Sequence, residues 1–379
     1  VTRARDVFLV ANTIDELGGV QRVTHNLATM LHEAGHRVTV VGIQHATHRH
    51  DYGDRPYRWV VLDAPHPTPP GFGRFRRLVD PRARRALRAH AAAHRAAVDR
   101  LSEVLSGTAG GLLVVMQVWS MNWVAEAATD QHYVIGMSHE SFDATLASTR
   151  WERVRRHYRD VDLFLLLTER DAARFEVEGF NNVGVMHNAL SFYPDDSSDL
   201  AAPVVVAAGR YAPEKGYDRL IEAFGMVADE HPDWTLRIFG HGPLQDALRE
   251  QAVSLGLGER VSLPGLAGDI ETELRASSVF ALSSIHEGLP MALAEAMACG
   301  VPGVAFDCAP GVREIVTDGV DGIVVPPRNV PALAAGLSRL MADAELRRRY
   351  GAAARENVRK FAPDEVLAQW EDVFALVER

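Results

Sequence analysis

Twice along this chain, short apolar runs alternate with helix-length segments, and a polar stretch separates the two series. That alternation is the strongest constraint on the architecture. Strands linked by helices pair in parallel, and a parallel sheet needs cover on both faces, so each series predicts an α/β layer structure. In the first series, 7–11, 37–43, 112–116, 133–137, 162–167 and 183–186 read as strands. In the second, 204–207, 235–239, 260–263, 279–282, 304–306 and 323–325 do so, and 330–341, 345–358 and 365–377 read as closing helices. Pro194, Asp195, Asp196, Ser197, Ser198 and Asp199 have the composition of a linker. A chain of 379 residues exceeds one compact core, so two domains are expected. The boundaries predicted are 1–188, a linker over 189–202, and 203–362, followed by a terminal helical segment over 363–379. Two such halves imply a cleft, with ligands near the carboxyl ends of the strands.

Composition narrows the function classes. The net charge is −10, and the acidic excess lies almost wholly beyond residue 200, which argues against nucleic acid as a partner. No apolar run approaches the ~20 residues of a membrane span, and the run Val7–Ala11 is too short for a signal-peptide core. The two cysteines, Cys299 and Cys308, cannot make a disulfide framework, so a reducing, cytoplasmic setting is expected. Lysine occurs only as Lys215 and Lys360, which draws attention to any site containing either.

Chemistry-bearing residues gather at the predicted strand ends. After the run 278–282, Glu287-Gly288-Leu289-Pro290-Met291 forms a loop leading into a helix that carries Glu295 and stops at Gly300. Pro290 suits the first turn of that helix, and its N-terminal amides suit a phosphate or polyol oxygen. Two unrelated glutamates on a strand–loop–helix would look the same. Gly209 to Gly216 follows the first strand of the second half, and its Arg210 and Lys215 could clamp a diphosphate or be a solvated turn. Gly240-His241-Gly242-Pro243 lets backbone approach a flat ligand, a weak signal alone. His139 follows a first-half strand and is either structural or directed at the cleft. His45, His48 and His50 lack the ligand pattern of a metal site and read as a solvated loop. Residues 84–105 repeat apolar positions at helical spacing, flanked by Arg84, Arg88 and Arg95. With Phe72, Arg74, Phe75, Arg76, Arg77 and Arg82, the stretch 72–95 could meet anionic lipid or a phosphorylated acceptor, or be a solvated basic flank.

Taken together, Arg210 with Lys215, the Gly240–Pro243 turn, Glu287 through Glu295, Cys308-Ala309-Pro310-Gly311 with Glu314, the Asp318–Gly322 turn and Gly18-Gly19 resemble retaining glycosyltransferases of the GT-B fold, family 4. The resemblance implies two Rossmann-like domains facing across a cleft, with the terminal helix returning to the first. It implies transfer of a hexose-type sugar from a nucleotide diphosphate sugar to a hydroxyl acceptor, in cell-envelope glycan or natural-product biosynthesis. UDP is the favoured nucleotide and GDP the alternative; no cofactor or metal is required. By the same resemblance Gly18, Gly19, Arg210 and Lys215 hold the diphosphate. Glu287 with Gly288, Leu289, Pro290 and Met291 holds the sugar, and Glu295 holds the ribose. Gly240, Gly242, Gly265 and Leu266 line the base. His139 and Glu287 are the catalytic candidates; Asp143 and Glu140 are weak candidates for a nucleophile that front-side attack does not require. A pyridoxal-phosphate phosphorylase would leave only Lys360 for its cofactor, an epimerase does not account for the glutamate spacing, and a non-catalytic nucleotide-sugar-binding protein remains a rival.

Overall fold

A computed structural model describes residues 3–66, 68–71, 80–108 and 110–379. Phe72, Arg74, Phe75, Arg76 and Arg77 of the basic stretch lie outside the described residues. The chain divides into two units, one of residues 1–186 with 367–379, the other of residues 187–366.

The first unit is built on seven parallel strands: β1 (Asp6–Ala11), β2 (Arg37–Gly42), β3 (Arg58–Val61), β4 (Gly111–Val115), β5 (His132–Ser138), β6 (Leu163–Leu166) and β7 (Val183–Val185). They lie in the order β3-β2-β1-β4-β5-β6-β7. β3 is absent from the sequence prediction. Its Arg58 and Trp59 are exposed at the sheet edge, so it lacks the continuous apolar run that marks a buried parallel strand. Helix Pro81–Ser106 has Asp80 as N-cap, accepting from the backbone N–H of Arg82 at 2.8 Å, with Pro81 in the first turn where its missing N–H is harmless. It buries Ala83, Ala97, Val98, Leu101 and Leu105, while Arg82, Arg84, Arg88 and Arg95 are exposed. The end of the chain is tied to the start. Arg5 donates to Glu371 at 2.7 Å and to Glu378 at 3.1 Å, and Trp370 and Phe374 of helix Pro363–Val377 are fully buried.

The second unit has six parallel strands: β8 (Val204–Ala208), β9 (Thr235–Phe239), β10 (Val261–Gly265), β11 (Val279–Leu282), β12 (Gly303–Phe306) and β13 (Gly322–Val325). Their order is β10-β9-β8-β11-β12-β13. All residues of β11, β12 and β13 are buried, as expected where helices cover both faces. In both units strand order reverses beside the first strand, between β1 and β4 and between β8 and β11. Loops leaving those strands in opposite directions open a crevice at their carboxyl ends. Among the described residues, no helix is long and apolar enough to cross a membrane.

Candidate functional site

In the second unit the crevice beside β8 brings two loops together. The loop after β8 ends in a short 3-10 turn, Pro213–Lys215, and Gly216 takes a left-handed conformation at φ 61°. A Cβ on Gly216 would stand 2.3 Å from the backbone oxygen of Ser283, so glycine is required both for conformation and for contact with the loop after β11. Ser283 Oγ donates to the Lys215 carbonyl at 2.9 Å, and the Ile285 N–H donates to the Glu214 carbonyl at 2.7 Å. Backbone and hydroxyl contacts thus fix the two loops before any charge is considered.

Across this junction Lys215 Nζ donates to Glu287 Oε1 at 2.6 Å, and Ser284 Oγ donates to the same oxygen at 2.6 Å. The carboxylate is 11% exposed. Burying a carboxylate that far is costly unless it is paired and hydrogen-bonded, which explains why the lysine turns to it. The sequence reading placed Arg210 and Lys215 together as a cationic clamp. In the structure each meets its own carboxylate: Arg210 is well exposed and lies 3.5 Å from Glu214. Cys308 lies close enough to feel both Glu287 and Lys215, and burial first, then the Glu287 charge, pushes its thiol up to about 12. It is a protonated packing group at neutral pH.

Helix Met291–Ala298 begins one residue later than the sequence suggests. Pro290 is its N-cap residue, at φ −76° and ψ 82°, and that non-helical ψ makes Met291 the first helical residue. Leu293 through Ala298 are all buried. Glu295 is therefore an internal carboxylate, 3% exposed, accepting from Ser191 Oγ at 2.8 Å. Gly311, at the start of helix Pro310–Ile315, packs so closely on the Gly288-Leu289 turn that a Cβ would come within 2.0 Å of the Gly288 carbonyl.

On the other side of β8 three turns are laced edge to edge. The Gly209 N–H donates to Phe239 O at 2.9 Å, Tyr211 N–H to His241 O at 3.0 Å, and Gly240 N–H to Gly265 O at 2.8 Å. Gly240 has φ 149°, and a Cβ there would sit 1.9 Å from the Gly209 carbonyl oxygen; Gly242 is similarly pressed on Tyr211. Leu266 is exposed just beyond Gly265. Lys215, Glu287, Gly288 to Met291, Glu295, Gly240, Gly242 and Gly265 thus all belong to the carboxyl edge of one sheet.

Gly18, Gly19 and His139 belong to the first unit. Gly18 is the N-cap of helix Gly19–Glu33, with no side-chain cap, and Gly19 is exposed with open space where a Cβ would be. His139 follows β5, two strands from β1. Both its ring nitrogens are buried without a partner among the described residues, and burial pushes its pKa down to about 4. It is neutral at physiological pH, so any catalytic part would be as a hydrogen-bonding imidazole. Glu140 lies 3.3 Å from Arg150, and Asp143 2.6 Å from Arg174. His45 bonds Asp15 at 2.6 Å, His50 packs edge-on to Tyr52, and His48 is exposed. Among the described residues no group of three histidine, cysteine or acidic side chains could hold a metal ion.

Sequence reasoning missed a second feature of the first unit. At the β1/β4 crevice, Asn12, Ile43, Gln44, His66, Trp119 and Trp123 line a cavity of about 170 Å³. Its residues come from distant loops and carry no shared spacing.

Residues 195–357 match the model of the family described as glycosyl transferases group 1. An exopolysaccharide phosphotransferase of Streptomyces coelicolor is 38% identical over 224 residues, 58% of this chain and 24% of that protein. The chain spans between about a quarter and three-fifths of the length of the curated relatives it first matches. A mutant of TarM from S. aureus, solved with fondaparinux, α-GlcNAc-glycerol and UDP, superposes with a TM-score of 0.78 at 14% identity, covering 98% of this chain and 99% of that one. HepE of Anabaena, solved with UDP and glucose, gives 0.75 at 19% identity, with 98% and 99% covered. At such identities the likeness is one of fold. In sequence over its second unit, and in fold over both, the chain resembles the group 1 glycosyltransferases built on the GT-B fold.

Proposed function

We propose that this chain is a retaining, metal-independent glycosyltransferase that moves a hexose-type sugar from a UDP-sugar to a hydroxyl acceptor. The observation that carries this reading is the Lys215–Glu287 pair at the strand-order reversal, beside the helix that buries Glu295. A cation and a hydroxyl-accepting carboxylate at one crevice, next to backbone amides at a helix start, match the mixed charge of a nucleotide sugar. The family match over residues 195–357 supports the class, and the UDP bound to TarM and HepE supports the nucleotide.

In this reading Lys215 and Arg210 neutralise the diphosphate, with the amides of Gly18 and Gly19 as further donors. Lys215 has three donor hydrogens and can keep Glu287 while reaching a phosphate oxygen. Glu287 and the backbone of Gly288 to Met291 hold the sugar hydroxyls, and Glu295 the ribose. Gly240, Gly242, Gly265 and Leu266 line the base. The acceptor hydroxyl oxygen bonds to the anomeric carbon as that carbon's bond to the diphosphate oxygen breaks, on the same face. The hydroxyl proton passes to the departing phosphate oxygen. Neutral His139 orients a sugar hydroxyl.

Incubation with a panel of UDP- and GDP-sugars, followed by mass spectrometry of the nucleotide released, tests the reading. Slow hydrolysis of one or more UDP-sugars is expected. Preference for GDP-sugars would overturn the nucleotide assignment, and binding without turnover in the presence of acceptor candidates would favour a non-catalytic binding protein. Co-sedimentation with anionic vesicles tests the lipid contact expected of residues 72–95; binding that survives removal of the arginine charges from Arg74 to Arg88 would count against it.

A further inference from the structure

Glu287 uses its two oxygens unequally. Oε1 accepts from Lys215 Nζ at 2.6 Å and from Ser284 Oγ at 2.6 Å, whereas Oε2 takes no hydrogen bond from any described residue. The two donors on Oε1 differ in stiffness. Ser284 is 2% exposed and follows β11, and the residues on either side of it are tied to the loop after β8. Ser283 Oγ donates to the Lys215 carbonyl at 2.9 Å, and the Ile285 N–H to the Glu214 carbonyl at 2.7 Å. Lys215 instead reaches the carboxylate on a four-carbon side chain that is 26% exposed, and its ammonium has three hydrogens to share. The serine is the fixed partner and the lysine the movable one.

That difference matters once a diphosphate competes for the lysine. A phosphate oxygen is a charged acceptor, so a bound donor draws Lys215 away from its exclusive pairing with Glu287. A carboxylate only 11% exposed and held by the lysine alone would then lose its orientation at the moment a sugar arrives. The Ser284 hydroxyl, three residues earlier on the same loop, keeps hold of it. Neighbouring groups do not duplicate this part: the Ser283 hydroxyl is taken by the Lys215 carbonyl, and the Cys308 thiol is a weak donor. With Oε1 committed, Oε2 is the oxygen left to accept from a ligand hydroxyl. A carboxylate able to turn would offer either oxygen and so would select no hydroxyl.

We propose that Ser284 is a positioning residue for recognition of the transferred sugar: it holds Glu287 through Oε1 so that Oε2 meets a sugar hydroxyl, wherever Lys215 turns. This deepens the donor reading above and rests on it. Calorimetric titration of the wild-type protein, Ser284→Ala and Ser283→Ala with UDP, UDP-glucose, UDP-galactose and UDP-N-acetylglucosamine tests it. The quantity read is the affinity of each UDP-sugar relative to that of UDP, which keeps the base, ribose and diphosphate but lacks the sugar. In Ser284→Ala this ratio should fall about tenfold for the sugar that the wild-type protein binds best, while UDP affinity stays within about twofold. Ser283→Ala loses an equally buried hydroxyl from the same loop and should leave the ratio unchanged, even where it weakens UDP and the UDP-sugars together. An unchanged ratio in Ser284→Ala, an equal fall in Ser283→Ala, or a loss of UDP and UDP-sugar binding in step would overturn the proposal and reduce Ser284 to a support of the loop. So would a wild-type protein that binds UDP but none of the three UDP-sugars. Failure of UDP itself to bind the wild-type protein would instead overturn the donor reading, and this inference with it.

Discussion

The two units carry the same strand order around their first strand, yet they finish their carboxyl edges by different means. In the second unit the edge is made of main chain. Backbone hydrogen bonds run from Gly209 to Phe239, from Tyr211 to His241 and from Gly240 to Gly265, and Gly216 and Gly311 press directly on neighbouring carbonyls. In the first unit side chains take a larger part: Gln117 Oε1 accepts from the Asn12 N–H, Ser120 Oγ donates to Asn12 Oδ1 and Gln44 Nε2 donates to the Ala64 carbonyl, while Trp119 and Trp123 wall a cavity. A main-chain edge admits few substitutions and can recognise only a ligand of fixed shape. A side-chain edge can be re-cut residue by residue without disturbing the sheet beneath it. The difference fits the proposal that the second unit binds the donor and the first the acceptor.

The most severe test of this contrast is Gly240→Ala. Its Cβ would have to occupy space 1.9 Å from the Gly209 carbonyl, at a φ of 149° that L residues rarely adopt. A loss of more than about 3 kcal/mol in denaturant unfolding is expected. A loss under about 1 kcal/mol would mean that the second unit's edge is as forgiving as the first's.

Each unit also holds an imidazole that burial pushes far down, which allows the two to be compared by pH. His139 in the first unit is pushed down to about 4 by burial, and His187 in the second to about 4 by burial and then by Lys360. Unfolded histidine titrates near 6.5, so between about pH 6.5 and 4 the unfolded chain binds protons that the folded chain does not. Stability is therefore complete above about 6.5 and declines as the pH falls through that window, by up to about 3 kcal/mol for each residue. Urea unfolding from pH 7.5 to 4.5 should show this slope, and His139→Gln and His187→Gln should each flatten part of it. A slope carried by only one of them would show that the two imidazoles are not equally shielded.

Legibility from sequence followed the same division. β8, β9, β11 and β12 are apolar runs inside their sheet and β13, at its edge, is buried throughout, and the glycines and glutamates that finish these strands occur at spacings set by main-chain geometry. Glu287 and Glu295 could be picked out for that reason, although the pairing of Glu287 with Lys215 could not, since it depends on two loops 72 residues apart. β3 escaped notice because an edge strand with an exposed Trp59 has no buried pattern. The cavity escaped because Asn12, Gln44, His66 and Trp119 converge only when four strands stand side by side; each residue alone is ordinary.

A gentler perturbation of the second unit is Lys215→Ala. It removes a charged hydrogen-bond donor from the proposed diphosphate position and leaves a partly buried Glu287 with Ser284 alone among the partners described above. UDP binding should weaken by about 1.5–3 kcal/mol in calorimetry, and Glu295→Ala should cost a similar amount. Unchanged UDP affinity in both variants would break the assignment of donor recognition to this edge.

The smallest structural effect is expected at Gly19, and there the contrast becomes sharpest. Gly19 opens helix Gly19–Glu33, and a Cβ placed there would have nothing within 4 Å. Alanine is the better helix former, so Gly19→Ala should leave stability unchanged or raise it by less than about 1 kcal/mol. If that glycine serves to let a diphosphate reach the helix amides, the methyl group stands in the ligand's path, and turnover with a UDP-sugar should fall while the unfolding midpoint does not. In the second unit, by contrast, Gly240→Ala should lose stability and activity together. Gly19→Ala retaining full turnover would remove the first unit's glycines from the donor site and leave the main-chain edge of the second unit to hold the diphosphate by itself.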